Sequence, residues 1–117
     1  EGAGGWRVPL AGRESLSDLA RELGLPVVLV VGVRLGCINH ALLTAQAIRA
    51  RGLALAGWVG NTVDATQPHQ ADNLTALADR LNAPCWGVVP RLGGSAPGAA
   101  DVASHLNTAE LHTALLA

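Results

Sequence analysis

Three short apolar runs, separated by segments of helical periodicity, constrain the fold of this chain more than any other feature. The first is PVVLVVGV, Pro26 to Val33, a continuous run rich in β-branched residues and bounded by proline and glycine. Such runs are typical of strands that are buried on both faces. LALAGWVGN (Leu53 to Asn61) and PCWGVVP (Pro84 to Pro90) have the same character. The sequence therefore predicts three buried strands.

Amphipathic segments lie between and around these runs. Apolar residues in the two central segments recur at the spacing that places them on one side of a helix. The residues expected on these buried stripes are Ala41, Leu42, Ala45 and Ile48 in the first segment, and Leu74, Leu77, Ala78 and Leu81 in the second. Strand and helix thus alternate along the chain. This order predicts an α/β fold of three layers, with a parallel sheet between helices.

Helix ends are marked by their own signals. Ser15 followed by Asp18 resembles a capping box, and Gly24 and Gly52 are suitable stops. Asn107, with Glu110 three residues later, predicts the start of a final helix that runs toward Leu116. The stretch GGSAPGAAD, Gly93 to Asp101, predicts a surface loop.

Composition excludes several classes of function. The net charge of the chain is −1 and its eight arginines are scattered along the sequence. We therefore do not expect the basic face that binding of nucleic acid requires. No apolar run is long enough to cross a bilayer. Two cysteines do not make a secreted disulfide framework, which favours a reducing, cytoplasmic location. The chain has no methionine and begins at Glu1, so we interpret it as the latter part of a longer protein.

The unusual residues follow the predicted strands. RLGCINH follows the first run, GNT ends the second and PRLGG follows the third. Parallel strands end at one edge of a sheet, and ligands bind in the crevice outside those ends. If EGAGG at the start of the chain also follows a strand, its glycines join the same rim. The sequence therefore predicts a ligand site at this edge.

Each candidate motif also has a structural interpretation. EGAGG could let backbone N–H groups approach a phosphate, or it could be a flexible terminal turn. Cys37 and His40 lie three residues apart, but no second pair at zinc spacing accompanies them, so a metal site is not favoured. Cys85, at a strand start, is expected in the core and too far from Cys37 for a redox pair.

The RLGCINH turn opens a helix. The N–H groups near Ile38, Asn39 and His40 lack intrahelical partners there, and the helix dipole favours an anion. The structural alternative is that Asn39 caps the helix, and both can hold together. Asn61, at a strand end, could turn the chain, or its amide could pair with adenine, which offers a matching donor and acceptor.

Several blocks, in this order and spacing, resemble the carboxyl-terminal half of the dethiobiotin synthetase family. These are EGAGGW, PVVLVVGVRLGCINHALLTAQAI, GLALAGWVGN and GVVPRL, and together they span nearly the whole chain. The resemblance implies a P-loop NTPase-like fold that is incomplete here, because the amino-terminal half with the P-loop is absent. Residues 1–117 would then be the carboxyl-terminal part of a single domain, in a protein that is usually a homodimer.

The resemblance also implies an activity. Members are cyclo-ligases that form C–N bonds in biotin biosynthesis, closing the ureido ring of dethiobiotin from 7,8-diaminononanoate, CO2 and MgATP. One substrate amine is carboxylated, ATP phosphorylates the carbamate, and the second amine attacks the mixed anhydride. Magnesium, N–H donors and a lysine offset the accumulating negative charge. The P-loop and catalytic lysine lie upstream of Glu1 in the family, so this chain contains no catalytic residue and is expected to be inactive alone.

Site residues follow from the resemblance position by position. Glu1 matches the magnesium-associated acid. The positions that match ATP-contacting residues are Glu1, Gly2, Ala3, Gly4, Asn61, Thr62, Pro90, Arg91 and Leu92. The positions that match the turn reaching the substrate carboxylate across the dimer interface are Leu35, Gly36, Cys37, Ile38 and Asn39. No acid stands in GGSAPG, where members contact the ribose, and Asn73 replaces an aromatic residue that some members place near the substrate.

Two other interpretations remain. The chain could belong to a different P-loop ATPase or amidase, or it could be a non-catalytic dimerisation module.

Overall fold

A computed structural model describes residues 4–94 and 96–116, which form an alternating series of helices and strands. In chain order these are α1 (Leu16–Leu23), β1 (Val27–Val33), α2 (Cys37–Ala50), β2 (Leu55–Thr62), α3 (Gln70–Leu81), β3 (Cys85–Val89), α4 (Ala99–Ala103) and α5 (Thr108–Leu116). The three strands coincide with the three apolar runs. None of the helices in these residues is long and apolar enough to cross a membrane.

The strands form one parallel sheet in the order β1-β2-β3. Gly32 pairs with Asn61, and Asn61 pairs with Val89, so these three residues lie side by side at the carboxyl edge. The predicted parallel sheet and the convergence of its strand ends are therefore confirmed.

Helices cover both faces of this sheet. On the first face, α2 and α3 pack against a core of Val31, Cys37, Ala41, Ala45, Trp58, Leu77 and Leu81. On the second face, Val59, Trp86 and Val89 pack against side chains from α4, α5 and the turn between them. Successive strand residues point to opposite faces, which explains how Trp58 and Val59 enter different cores. The three-layer architecture is thus confirmed.

Most of the predicted helical stripes are buried. In α2, Ala41, Ala45 and Ile48 are buried and Leu42 is partly buried. In α3, Leu77 and Leu81 are buried and Leu74 packs against their core, whereas Ala78 is exposed. The prediction for Ala78 was wrong because α3 packs through the side that carries the three leucines, and the short methyl group of Ala78 lies outside that contact.

The predicted helix starts are confirmed at both ends of the chain. The Asp18 carboxylate accepts hydrogen bonds from the backbone N–H and the hydroxyl of Ser15, both at 2.8 Å. Gly24 ends α1 in the left-handed conformation, with φ 63°. At α5, Asn107 Oδ1 accepts a hydrogen bond from the Glu110 N–H at 3.3 Å.

Two other predictions need correction. Gly93 to Asp101 is not wholly a loop, since α4 begins at Ala99. The Gly98 N–H donates to the Asp101 carboxylate at 3.0 Å, and this bond stabilises a helix start among small residues that carry little pattern. Cys85 is exposed rather than in the core, because it is the first residue of β3 and its neighbour Trp86 takes the buried position.

Two arginines at the end of α2 tie neighbouring helices together. Arg49 donates to the carbonyl oxygens of Leu81 at 2.6 Å and Asn82 at 3.1 Å, where α3 ends. Arg51 pairs with Asp18 of α1 at 2.6 Å. These bonds lie at the opposite end of the sheet from the carboxyl edge, because α2 and α3 both begin at the carboxyl edge.

Candidate functional site

A cavity of about 540 Å³ lies on the face of the sheet covered by α4 and α5 and extends to the carboxyl edge. Its walls are apolar and come from the strands, from α4 and α5, and from the segments before and between these two helices: Val28, Val30, Val59, Val89, Pro97, Val102, Leu106 and Leu111. Its rim consists of Asn61, Thr62, Pro90, Arg91 and Leu92. The structure therefore brings together the positions at the end of β2 and after β3 at which the resemblance implies ATP contact.

Asn61 and Thr62 reach this rim differently. Asn61 shares a face with Val59 and is exposed, and its amide forms no hydrogen bond within residues 4–94 and 96–116. Thr62 is buried, and its hydroxyl accepts a hydrogen bond from Gln70 Nε2 at 3.3 Å. The Asn61 amide is thus available to a ligand, whereas the Thr62 hydroxyl is engaged with α3.

Arg91 links the two segments that form the rim. Its Nη1 donates to the carbonyl oxygen of Val63 at 2.9 Å. The neighbouring Asp64 carboxylate accepts hydrogen bonds from the hydroxyl and N–H of Thr66, at 2.7 and 2.9 Å. These bonds, together with the charge of Arg91, hold the pKa of Asp64 below its usual value. The segment after β2 therefore carries a fixed negative charge close to the guanidinium.

The start of α2 is capped by backbone geometry. Gly36 is the N-cap in the left-handed conformation, φ 88°, with no side-chain capping bond. Asn39 lies inside the first turn, so the prediction that it caps the helix was wrong: the N-cap is Gly36, three residues earlier. The His40 N–H also has an acceptor, the Gly36 carbonyl at 3.3 Å.

Two N–H groups remain for an anion at this helix start. The Cys37 N–H bonds to the Arg34 carbonyl at 3.1 Å. The N–H groups of Ile38 and Asn39 have no acceptor in the described part of the chain. The Cys37 side chain is buried in the first-face core, so it presents no thiol to a ligand, while Leu35 is 86% exposed.

The helix start and the cavity are on different faces of the sheet. α2 packs on the face of Val31 and Trp58, and the cavity lies on the face of Val59 and Val89. Residues 35–39 line neither this cavity nor the smaller polar one beside it. Within one chain, the structure does not bring the predicted substrate turn together with the predicted ATP residues.

The first segment of the predicted site is only partly described. Gly4 is exposed, with φ 87°. Glu1, Gly2 and Ala3 lie outside the described residues. Among residues 4–94 and 96–116, no group of three or more His, Cys, Asp or Glu side chains is placed to hold a metal ion.

Gln67 is a buried polar residue that the sequence did not single out. Only 8% of its surface is exposed, and its Oε1 accepts a 3.5 Å hydrogen bond from Asn73 Nδ2. Its Nε2 has no partner in the described structure. A glutamine in a polar connecting segment is expected at the surface, so no sequence signal indicated this position.

Comparisons with known proteins agree with this fold and with the resemblance. Residues 1–98 match the AAA domain family. The chain is 69% identical over 107 residues to an ATP-dependent dethiobiotin synthetase of Pseudomonas paraeruginosa, covering 92% of this chain and 46% of that protein. Proteins of the same name are 64% identical in a Janthinobacterium species, over 86% of this chain and 42% of that protein, and 59% identical in Cellvibrio japonicus, over 95% and 48%.

The chain thus spans about half the length of the curated relatives that it matches. The resemblance to dethiobiotin synthetases and the P-loop NTPase-like fold are both confirmed by these matches. Because the family match extends over most of its length, this chain belongs to the AAA domain family.

Proposed function

We propose that this chain is the carboxyl-terminal part of a cytoplasmic, ATP-dependent dethiobiotin synthetase, which closes the ureido ring of dethiobiotin from 7,8-diaminononanoate and CO2. One observation carries the proposal: the rim of a single cavity gathers Asn61, Thr62 and Pro90–Leu92. These are the positions at which the resemblance implies ATP contact. Below, "the full-length protein" means this chain together with the upstream half that its relatives have.

The chemistry of the cavity suits an adenine base. An asparagine amide donates one hydrogen bond and accepts another, which matches the exocyclic amine and N7 of adenine but not the same edge of guanine. The Asn61 amide lies at the rim and forms no hydrogen bond with the residues that the structure describes. The apolar walls below it suit a flat aromatic ring, since ligand pockets combine apolar surface with a few placed polar groups. The cavity is therefore proposed as the base site of ATP.

The start of α2 is proposed to bind the substrate carboxylate. The N–H groups of Ile38 and Asn39 are available, and the positive end of the helix dipole stabilises an anion. Since this helix start and the cavity lie on opposite faces, a complete site needs the helix start of a second protomer. Leu35 and Leu43, 86% and 56% exposed on α2 and the turn before it, supply apolar surface for a homodimer interface.

Magnesium is proposed for the whole enzyme but not for the described residues. Among residues 4–94 and 96–116, no three His, Cys, Asp or Glu side chains are grouped to hold a metal ion. Glu1 remains the candidate ligand from the sequence, and the P-loop and lysine are expected upstream of it. Glu1–Ala117 alone is therefore expected to lack synthetase activity.

The test is formation of dethiobiotin by the full-length protein. Incubation with diaminononanoate, bicarbonate and MgATP is expected to give dethiobiotin, ADP and phosphate. Omission of any one of the three substrates should abolish formation of dethiobiotin. If the protein instead hydrolyses ATP only when a different carboxylate or amide substrate replaces diaminononanoate, it is a different ATPase or amidase. A dimer that neither binds nor hydrolyses ATP would identify a dimerisation module.

A further inference from the structure

We propose that Arg91 is a positioning residue of the cavity, which fastens the segment after β3 to the segment after β2 and so sets the width of the cavity mouth. The inference rests on the proposed nucleotide function of the cavity. It differs from the sequence expectation for Arg91, because it assigns the side chain a role through the protein backbone rather than through contact with the nucleotide.

The need for such a link follows from where the sheet ends. The last pair in the register of β2 and β3 is Asn61 with Val89. The rim residue Asn61 is a member of this last pair, whereas Pro90, Arg91 and Val63 lie beyond it, where pairing of β2 with β3 no longer holds the two segments together. A base bound between Asn61 and Pro90 requires a fixed distance between these segments, since a hydrogen bond weakens within a few tenths of an ångström.

Arg91 supplies the link at this point. Arg91 is two residues beyond Val89 and Val63 is one residue beyond Thr62, and the Arg91 Nη1 to Val63 oxygen distance is 2.9 Å. The carbonyl that accepts this bond therefore belongs to the residue after the two rim residues of β2. The bond joins the two sides of the mouth immediately past the last strand pair.

The nearby negative charge favours this position of the guanidinium. Asp64 follows Val63, and its carboxylate is fixed by two hydrogen bonds from Thr66. The carboxylate attracts the Arg91 side chain toward the segment after β2. The guanidinium is thus engaged with the protein, and loss of the side chain should affect recognition of the base rather than of the phosphates.

The experiment measures binding of ATP, AMP and adenosine to the full-length protein by calorimetry. Removing a hydrogen bond of this kind costs about 1 kcal/mol, so Arg91→Ala should lower the affinity for all three ligands by the same factor, about five- to tenfold. Arg91→Lys keeps a long side chain with a donor for Val63, and its affinities should stay within about threefold of those of the unaltered protein. Arg91→Gln has a shorter side chain that does not replace the Nη1 donor, so it should weaken binding as Arg91→Ala does. The matched control is Arg80→Ala, an exposed arginine on α3 at the other face of the sheet.

Steady-state kinetics give a second readout. Arg91→Ala should raise KM for ATP while kcat at saturating ATP stays within about twofold, because ground-state positioning of the base is lost and the reacting atoms are untouched. Thermal melting of each variant checks that it folds. If Arg91→Ala does not fold, Arg91→Gln replaces it in the binding and kinetic measurements.

The possible results separate the alternatives. A loss of affinity for ATP with no loss for adenosine would show that Arg91 contacts phosphate. A loss of affinity in Arg91→Lys as large as in Arg91→Ala would show that a donor to Val63 does not determine binding. Either result overturns the inference. The inference is also overturned if Arg91→Ala binds the three ligands with the same affinity as Arg80→Ala. If the unaltered protein binds neither ATP nor adenosine, the proposed nucleotide site itself is wrong and this inference fails with it.

Discussion

Arg49 of α2 donates to the carbonyl oxygen of Leu81, the last residue of α3, at 2.6 Å. A second bond from the same nitrogen reaches the Asn82 carbonyl at 3.1 Å. The last carbonyl groups of a helix have no intrahelical partner, and a positive charge there also complements the helix dipole. One side chain of α2 therefore completes the end of α3 and fixes two helices that pack on the same face of the sheet.

Removing this link should lower the stability of the full-length protein. For Arg49→Met, which keeps much of the apolar stem, we expect the free energy of unfolding to fall by about 1–2 kcal/mol, the cost of an unsatisfied helix end plus a charge-assisted hydrogen bond. Urea denaturation followed by circular dichroism measures the change. Arg13→Met, at an exposed position before α1, is the control, and an equal effect in both variants would contradict the role of Arg49.

Asp18 predicts a dependence of stability on pH. Hydrogen bonds from Ser15 and the pairing with Arg51 lower its pKa from 3.8 to about 2 in the folded protein. A carboxylate with a lowered folded-state pKa stabilises the protein above its unfolded-state pKa, and this contribution is lost as the pH falls from 3.8 through about 2. Asp18→Asn should therefore reduce stability at pH 6 and flatten its decline below pH 4.

Urea midpoints between pH 6 and pH 2 test this expectation. Asp79→Asn, on the exposed side of α3, is the matched substitution and should leave the decline unchanged. An Asp18→Asn protein whose stability falls below pH 4 as steeply as that of the unaltered protein would refute the assignment.

Gly57 provides a test of packing beneath the second-face core. A Cβ atom at this position would lie 2.6 Å from Cε2 of Trp86, a ring that is buried and only 2% exposed. The ring cannot move without disturbing its core, so Gly57→Ala should destabilise the protein by about 1–3 kcal/mol. Gly32→Ala in β1 meets only ordinary contacts at 3.7 Å from Val63 and should be tolerated. Similar losses in both variants would contradict the predicted clash.

Asn61 predicts selectivity for the base. Loss of a bidentate amide–adenine pair costs about 1–3 kcal/mol, so Asn61→Ala should weaken ATP binding by roughly 5- to 150-fold while GTP binding stays weak. Equilibrium dialysis against both nucleotides measures this. Gln46→Ala, at an exposed position on α2, should bind ATP normally. Unchanged affinity in Asn61→Ala would exclude Asn61 from the base site.

The exposed leucines near α2 predict the state of association. If Leu35 and Leu43 form the proposed dimer interface, Leu43→Lys should shift the full-length protein toward monomer, because a buried unpaired charge opposes association. Light scattering across a range of protein concentrations measures the shift. Leu115→Lys alters another exposed leucine, on α5, and should leave the dimer intact. A monomer in both variants, or in neither, would place the interface elsewhere.

Much of this architecture was accessible from residue patterns. Strands buried on both faces must be apolar throughout, so β1, β2 and β3 were located by continuous runs, and the meeting of Asn61 with Pro90 at one edge followed from parallel pairing. Capping at Ser15 and Asn107 was also found, because these caps use side chains whose identity is visible in the sequence.

The errors arose where backbone geometry or packing decided the outcome. The left-handed conformation of Gly36 starts α2 before Asn39. Glycine permits this conformation, but asparagine is the stronger capping signal in the sequence. The exposure of Ala78 and Cys85 depends on which neighbour takes the buried position. The sequence placed the start of α2 and the cavity rim at one edge correctly, but the face on which each stands depends on where the following helix packs.

The separation of the α2 start from the cavity has a consequence for mixed assemblies. In the proposed dimer, each protomer contributes its α2 start to the site formed by the cavity of the other protomer. Every complete site therefore contains residues from both protomers. A copy damaged at Asn61 and a copy damaged at the turn before α2 would each be inert when paired with themselves. In a heterodimer of these two copies, both substitutions fall in one of the two sites, and the other site contains no substitution.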